Sequence, residues 1–225
     1  MHSALFHHVL TILLLAGWCL ITTGVGRLSL CATSLRFASP GEGLFLSAGV
    51  GLTVTAYTVF ILGIAQSLHS FAIIAAMIAL ALLALSGWRR RDIPLLHPAS
   101  PDRWSVWDRP AAVLLAAILS AGLLLVLTPE TGKDALIYHL AVPKLYRKHQ
   151  GFYFIPGNIF AGYPLLVEMH YLLALFFKND ILARAMHFAV LCWTLLGISL
   201  FTRHLMRENA FPALGMLIFA SIPSV

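Results

Sequence analysis

Charged residues are scarce in this chain of 225 residues: Asp, Glu, Lys and Arg make up 11%, whereas soluble domains average about 25%. Apolar residues make up 60%, against about 45–50% in a soluble domain. Such a chain has too little polar surface to cover a globular core. We therefore predict an integral membrane protein, and the composition excludes intrinsic disorder, a coiled coil and a secreted disulfide scaffold.

Cysteine is rare and the common cofactor motifs are absent. The three cysteines have no CxxC spacing, so we interpret them as small packing residues. No GxGxxG, P-loop, GxSxG or HExxH motif occurs, and none of the ten histidines has HxxxH or HxxE spacing. We therefore predict no cofactor and no metal site. The net charge of +6 is scattered among apolar runs, which favours contact with anionic lipid over nucleic acid.

Long apolar runs are the dominant feature that is present. A helix needs about 20 mostly apolar residues to cross a bilayer. Seven runs qualify or nearly qualify: 4–24, 43–64, 69–88, 111–128, 163–177, 181–201 and 210–225. Because no alternating strand pattern repeats, we predict an all-α bundle of about seven transmembrane helices. Its N-terminal region, 1–110, holds three helices and a basic loop, and 111–225 holds the remaining helices and a long loop, 129–162.

The distribution of Lys and Arg predicts the orientation of the bundle in the cell membrane. Alternate threading with the arginine-rich loop before residue 110 in the cytoplasm puts nine Lys and Arg inside and six outside. In this arrangement Lys178 and Arg184 lie inside, Arg203 and Arg207 lie outside, and loop 129–162 is extracytoplasmic.

The 136–148 segment of this loop has the pattern of an amphipathic helix. Leucines and Tyr146 recur near helical spacing, and Lys144, Arg147 and Lys148 follow a polar flank. We predict a helix lying in the membrane interface, kinked or divided at Pro143 and ended at Gly151. The three cations suit a phosphate or diphosphate, with the planar fork of Arg147 able to contact two oxygens.

Asp134 follows the end of the predicted 111–128 helix by a few residues. A carboxylate at this depth lies within reach of a lipid head group and can act as a general base. The alternative is that Asp134 caps the helix that begins at Ala135. Both interpretations remain open on the residues alone.

Two ionisable residues lie within the 163–177 run. Ionisable groups are costly there and usually face a cavity or a partner. Glu168 is placed to meet Asp134, His139 or Lys144 at the mouth of a cavity, and the alternative is that it extends to water. His170 faces another way, and we predict a hydrogen-bonded interior histidine. His139 is predicted to be a hydrogen-bond partner near Asp134 or a head-group contact.

Three short motifs carry a resemblance to a known superfamily. They are Asp134-Ala135-Leu136-x-Tyr138-His139-Leu140-x-x-Pro143-Lys144, Pro156-x-Asn158 and Tyr163-Pro164-Leu165-x-x-Glu168-Met169. The pattern, over roughly residues 110–225, resembles the multi-spanning glycosyltransferases of the C superfamily. It is closest to bacterial members that are mannosyltransferase-like or protein O-mannosyltransferase-like.

The resemblance implies a polyprenyl-phosphate sugar as donor and an inverting transfer to an extracytoplasmic acceptor, in which a metal is optional. It implies Asp134 as the base, and we expect Tyr138, Asn158 and Glu168 to shape the pocket. Because the family has further extracytoplasmic loops, we expect this chain to be the N-terminal part of a longer one.

Two other function classes remain as alternatives. A non-catalytic scaffold or degenerate family member is favoured by the single acid at Asp134, where family members commonly have two in succession. A transporter would require acids within several helices and an internal repeat. Residues 1–128 have no acid within an apolar run and no repeat, which makes this the weaker alternative.

Overall fold

A computed structural model describes the following parts of the chain: 2–33, 35–90, 106, 108–162, 165–206 and 211–222. Within them the fold is all-helical and contains no β-strand. The α-helices are α1 (His2–Cys31), α2 (Pro40–Ile64), α3 (Ser70–Arg89), α4 (Asp108–Val126), α5 (Ala141–His149), α6 (Glu168–Phe177), α7 (Asp180–Met206) and α8 (Pro212–Ala220). A π-helix, Ala135–His139, precedes α5, and a 3-10 helix, Ile159–Gly162, follows it.

Five of these helices are long and apolar enough to cross a membrane. They are Phe6–Cys31, Pro40–Ile64, Ser70–Arg89, Asp108–Val126 and Asp180–Leu205. The class of the fold is therefore as predicted, but within the described residues two of the seven expected spans are not seen. The runs 163–177 and 210–225 supply α6 and α8, which have ten and nine residues. At 1.5 Å per residue each is about 15 Å long, half of the roughly 30 Å that the hydrocarbon requires.

Helix α1 is longer than predicted because its glycines lie at helix crossings. We expected the first span to end near Gly24, but α1 continues to Cys31. A side chain at Gly26 would collide with the backbone carbonyl of Ser47 on α2, and one at Gly24 with Ala84 on α3. These glycines therefore allow close packing within the helix and do not end it.

Helix α2 begins earlier than predicted because its first turn is well capped. The hydroxyl of Ser39 accepts a hydrogen bond from the backbone N–H of Glu42 at 3.2 Å, and Pro40 occupies the first turn. The carboxylate of Glu42 accepts in return from the backbone N–H of Ala38 at 2.6 Å. This reciprocal arrangement satisfies two N–H groups that a helix start leaves without partners.

Helix α6 is buried on all sides, which explains why its sequence resembles a span. Eight consecutive residues, from Glu168 to Leu175, are buried. Two apolar clusters enclose them, one containing Ala56 and Val59 of α2 and the other Trp18 of α1 and Leu182 of α7. A short helix that is apolar all round belongs in a protein interior. Helix α6 therefore lies inside the bundle without crossing it.

This placement of α6 changes the predicted threading. The ammonium of Lys178, just after α6, donates to the carbonyl of His7 near the start of α1. Arg184 donates to the carbonyl of Thr128, just after α4. Lys178 and Arg184 therefore lie at the same end of the bundle as segment 129–162, contrary to the prediction. Arg203, in the last turn of α7, lies at the opposite end, and Arg207 is outside the described residues.

The predicted amphipathic helix is divided, but at Leu140 and not at Pro143. Proline has no N–H and its ring clashes with the carbonyl four residues earlier, which here is that of His139. The chain widens before it into the π-helix, where the N–H of Leu140 donates to the carbonyl of Ala135 at 2.8 Å. Helix α5 then ends before Gly151, with Gln150 in the left-handed conformation at φ 63°.

Candidate functional site

A cavity of about 510 Å³ lies between α4, the π-helix, α6, α7 and α8. Its wall is apolar where the long helices contribute, with residues such as Leu119 of α4 and Leu191 of α7. Five residues that carry ionisable or hydrogen-bonding side chains also line it: Glu130, His139, Tyr171, Arg184 and His187. An apolar wall combined with a few polar groups is typical of ligand-binding cavities.

His139, which lines this cavity, makes a short contact with Glu168. Nδ1 of His139 lies 2.5 Å from Oε1 of Glu168. Glu168 is 6% exposed and occupies the first turn of α6, where the helix dipole stabilises a carboxylate. The sequence proposed His139 as one of three possible partners of Glu168, and the structure selects it. An extension of Glu168 to water is not observed.

A second polar pair lies beside the first. The phenol oxygen of Tyr171 is 2.5 Å from Nδ1 of His187, and the ring of Tyr171 meets that of His139 edge-on at 6.5 Å. Burial raises the pKa of Tyr171, and the carboxylates of Glu168 and Glu130 raise it further. Tyr171 is therefore protonated at neutral pH, and it links the two histidines of the cavity.

An ion pair between Glu130 and Arg184 forms part of the cavity wall. Nε of Arg184 lies 3.2 Å from Oε2 of Glu130, and Nη1 donates to the carbonyl of Pro129 at 3.0 Å. The other oxygen of Glu130 accepts from the backbone N–H groups of Thr131 and Gly132, at 2.9 and 2.6 Å. The chain between α4 and the π-helix is thus held in one conformation against α7.

Sequence reasoning missed Glu130, Tyr171, Arg184 and His187, although one signal was available. Arg184 and His187 lie within the apolar run 181–201. An ionisable residue in such a run usually faces the interior and has a partner. The same rule identified Glu168, and it would also have identified these two residues of α7.

Asp134 lies next to the cavity lining and not within it. It precedes Ala135, which lines the cavity, and its own side chain is exposed. It occupies the cap position of the π-helix, but its side chain makes no capping hydrogen bond. The capping interpretation is therefore wrong.

Tyr138 and Asn158 support the π-helix. Tyr138 stacks on Phe160 with ring centres 4.7 Å apart, and its ring centre is 4.0 Å from that of His139. The amide of Asn158 donates to the carbonyl of Ile137 at 3.5 Å. The contacts of Tyr138 and Asn158 hold the π-helix in place, and His139 is the last residue of that helix. Of the third sequence motif, residues 163 and 164 lie outside the described residues.

The three basic residues predicted to bind phosphate lie on the exposed face of α5. Lys144, Arg147 and Lys148 are all exposed. Arg147 donates to the carbonyl of Leu175 near the end of α6, and its guanidinium lies 5.0 Å from the ring centre of Phe176. Arg147 therefore attaches α5 to α6, and the cation that lines the cavity is Arg184.

His170 is an interior residue, as predicted. Its Nδ1 accepts a hydrogen bond from the indole N–H of Trp18 at 3.3 Å, and it is 5% exposed. Burial lowers the pKa of His170 to about 4, so the ring is neutral at pH 7.

Across the described ranges, no three His, Cys, Asp or Glu side chains are grouped to hold a metal ion.

A second cavity, of about 320 Å³, lies between α1, α3, α6 and α7. Its lining is apolar apart from the indole of Trp18, and it includes Leu13, Ile74 and Phe177. None of the described residues that line it has an ionisable side chain, so the larger cavity is the candidate site.

Comparison with known proteins gave no match to a family model, to a curated protein or to a solved structure.

Proposed function

We propose that the protein is an integral membrane glycosyltransferase that transfers a sugar from a polyprenyl-phosphate carrier to an acceptor at the end of the bundle where segment 129–162 lies. The observation that carries this proposal is the cavity between α4 and α7, which combines an apolar wall with Glu130, His139 and Arg184. A carrier with a long apolar chain, a phosphate and a polar sugar has the same combination of properties.

The apolar wall suits the carrier chain. Helices α4 and α7 are both long enough to cross the membrane, and both expose leucines and other apolar residues to their surroundings. A polyprenyl chain can therefore lie along these helices while its head group enters the cavity, without apolar surface being transferred into water.

Arg184 suits the phosphate. It lines the cavity, and while Nε and Nη1 contact Glu130, Thr128 and Pro129, its Nη2 can donate to a phosphate oxygen. Lys144 and Lys148 are exposed on α5 at the same end of the bundle, where their charge would attract the anionic head group to the surface. This assigns to Arg184 the phosphate contact that the sequence had predicted for Arg147.

The resemblance implies Asp134 as the general base. Its side chain is exposed, so an incoming hydroxyl can reach it, and the next residue, Ala135, lines the cavity. A base at Asp134 predicts that Asp134→Asn abolishes transfer, because the amide has the same shape but does not accept the proton. The neighbouring Lys133 is also exposed, so Lys133→Gln is the matched control and should keep its activity.

The experiment measures loss of labelled mannose from polyprenyl phosphate in membranes that contain the full chain. Donor consumption above that of control membranes is the expected result, and the comparison of Asp134→Asn with Lys133→Gln tests whether Asp134 is the base that the resemblance implies. Equal donor consumption with and without the protein would contradict the proposal and favour a non-catalytic scaffold.

A further inference from the structure

The bond between His139 and Glu168 has the geometry of an acid–base pair. We propose that His139 is the residue of this cavity that accepts the proton of the attacking hydroxyl, with Glu168 as the positioning residue that orients its ring. This inference rests on the proposed function, and it assigns the proton transfer to His139 in place of Asp134.

Glu168 fixes the tautomer of His139. Its buried carboxylate, at the N-terminal turn of α6, is 2.5 Å from Nδ1 of His139. An ionised carboxylate only accepts hydrogen bonds, so Nδ1 carries the proton of this bond and Nε2 keeps its lone pair. His139 also lines the cavity, and its side chain is 38% exposed. Nε2, which does not bond to Glu168, is therefore the nitrogen that can accept a proton.

His139 is held more firmly than Asp134. The rings of Tyr138 and Tyr171 contact it, at centre-to-centre distances of 4.0 and 6.5 Å, in addition to Glu168. Asp134 is exposed and makes no capping hydrogen bond. Because proton transfer depends on a fixed donor–acceptor geometry, the position of His139 favours it as the base.

The proposed sugar transfer needs no reactant other than the donor, the acceptor hydroxyl and water. The acceptor oxygen forms a bond to the anomeric carbon as the bond from that carbon to the phosphate oxygen breaks, and the phosphate leaves with the electron pair. The hydroxyl proton passes to Nε2 of His139. The carboxylate of Glu168 stabilises the resulting imidazolium, as in other carboxylate–histidine pairs. The imidazolium then releases the proton to water.

The charged and titratable groups around His139 determine how the rate depends on pH. Glu168 and Glu130 favour the imidazolium, Arg184 disfavours it, and Tyr171 and His187 form the neighbouring pair. In Glu168→Gln the imidazolium loses its carboxylate partner, so the pH dependence of the rate should shift to lower pH, while the maximal rate falls.

The experiment measures donor consumption against pH for wild type, His139→Ala and Glu168→Gln. We expect His139→Ala to lose activity by about 100-fold or more, to lose the pH dependence of the wild type and to regain activity with added imidazole. His149→Gln is the matched control, since His149 is exposed on α5 and stacks on Tyr153. Glu168→Gln, which preserves the side-chain shape, is the second test if His139→Ala does not fold.

The possible contrary results distinguish failure of this inference from failure of the proposed function. Unchanged activity and pH profile in His139→Ala, with activity lost in Asp134→Asn, would overturn this inference and leave the proposed function standing. A loss in His139→Ala that imidazole does not restore, with the pH profile kept in the residual activity, would make the pair structural and also overturn it. An unshifted profile in Glu168→Gln would do the same. No donor consumption by the wild type would overturn the proposed function itself.

Discussion

Nε of Arg184 lies 3.2 Å from Oε2 of Glu130, and this ion pair joins the second turn of α7 to the chain that leaves α4. Both side chains are largely shielded from solvent, at 22% and 15% exposure. Nη1 of Arg184 also donates to the carbonyl of Thr128 at 2.5 Å. One guanidinium therefore fixes the entrance to the π-helix that carries His139.

Arg184→Lys tests this role because it keeps the charge and removes the planar fork. Lysine has one nitrogen and cannot reproduce the contacts to Glu130, Thr128 and Pro129 together. We expect thermal unfolding in nanodiscs to show a loss of about 1–3 kcal/mol. Lys133→Gln, at an exposed position nearby, should melt like the wild type. Equal melting of Arg184→Lys and the wild type would contradict this role.

Arg147 should affect stability more than donor binding. Its contacts with the carbonyl of Leu175 and the ring of Phe176 attach α5 to α6. We expect Arg147→Gln to lower the free energy of unfolding by about 1–2 kcal/mol. Lys148→Gln removes the same charge from the next, exposed position and should have little effect. A larger loss of donor affinity in Arg147→Gln than in Lys148→Gln, without a loss of stability, would restore the original phosphate assignment.

The crossing of α1 and α2 should not tolerate a side chain at Gly51. A Cβ there would collide with the carbonyl oxygen of Thr22 on α1, so Gly51→Ala must separate the two helices. We expect a loss of about 1–3 kcal/mol. Gly17, also in a spanning helix, has no heavy atom within 4 Å of such a Cβ. Gly17→Ala is therefore the control and should be as stable as the wild type, and equal losses in both variants would refute the close crossing.

His170 should make stability depend on pH. Burial lowers its pKa from 6.5 to about 4, so between these values the unfolded chain binds a proton that the folded chain does not. Stability is then fully present above about pH 6.5 and is lost as the pH falls towards 4. The loss should reach about 3 kcal/mol. As the pH is lowered over this range, the melting temperature should fall more for the wild type than for His170→Gln. An equal fall for both proteins would contradict the prediction.

The class of the fold could be predicted from composition, because 60% apolar residues in long runs leave no other option. The number of spans could not. Helix α6 has an apolar sequence because it is enclosed by protein, and hydropathy does not distinguish a protein interior from lipid. Because α6 was counted as a span, the predicted threading after it was reversed. Lys178 and Arg184 were therefore predicted at the wrong end of the bundle.

The candidate site was predicted in part. An ionisable residue in an apolar run indicated that Glu168 has a polar partner, and His139, which the structure pairs with it, was one of three candidates. Arg184 and His187 come from α7, whose apolar run predicts a spanning helix and no site residue. Tertiary packing determines which helices enclose one cavity, and this packing cannot be inferred from a single sequence.

The most direct test of the central claim is to fill the proposed cavity and measure sugar transfer. Gly122 lines it, and a Cβ there would contact the ring of Phe188 at 3.2 Å, so Gly122→Leu occupies the space assigned to the carrier. Gly17 lines the second cavity, and Gly17→Leu is the matched control. We predict that consumption of labelled polyprenyl-phosphate mannose is lost in Gly122→Leu and kept in Gly17→Leu, with both proteins folded. Full activity in Gly122→Leu, or no activity in the wild type, would contradict the account.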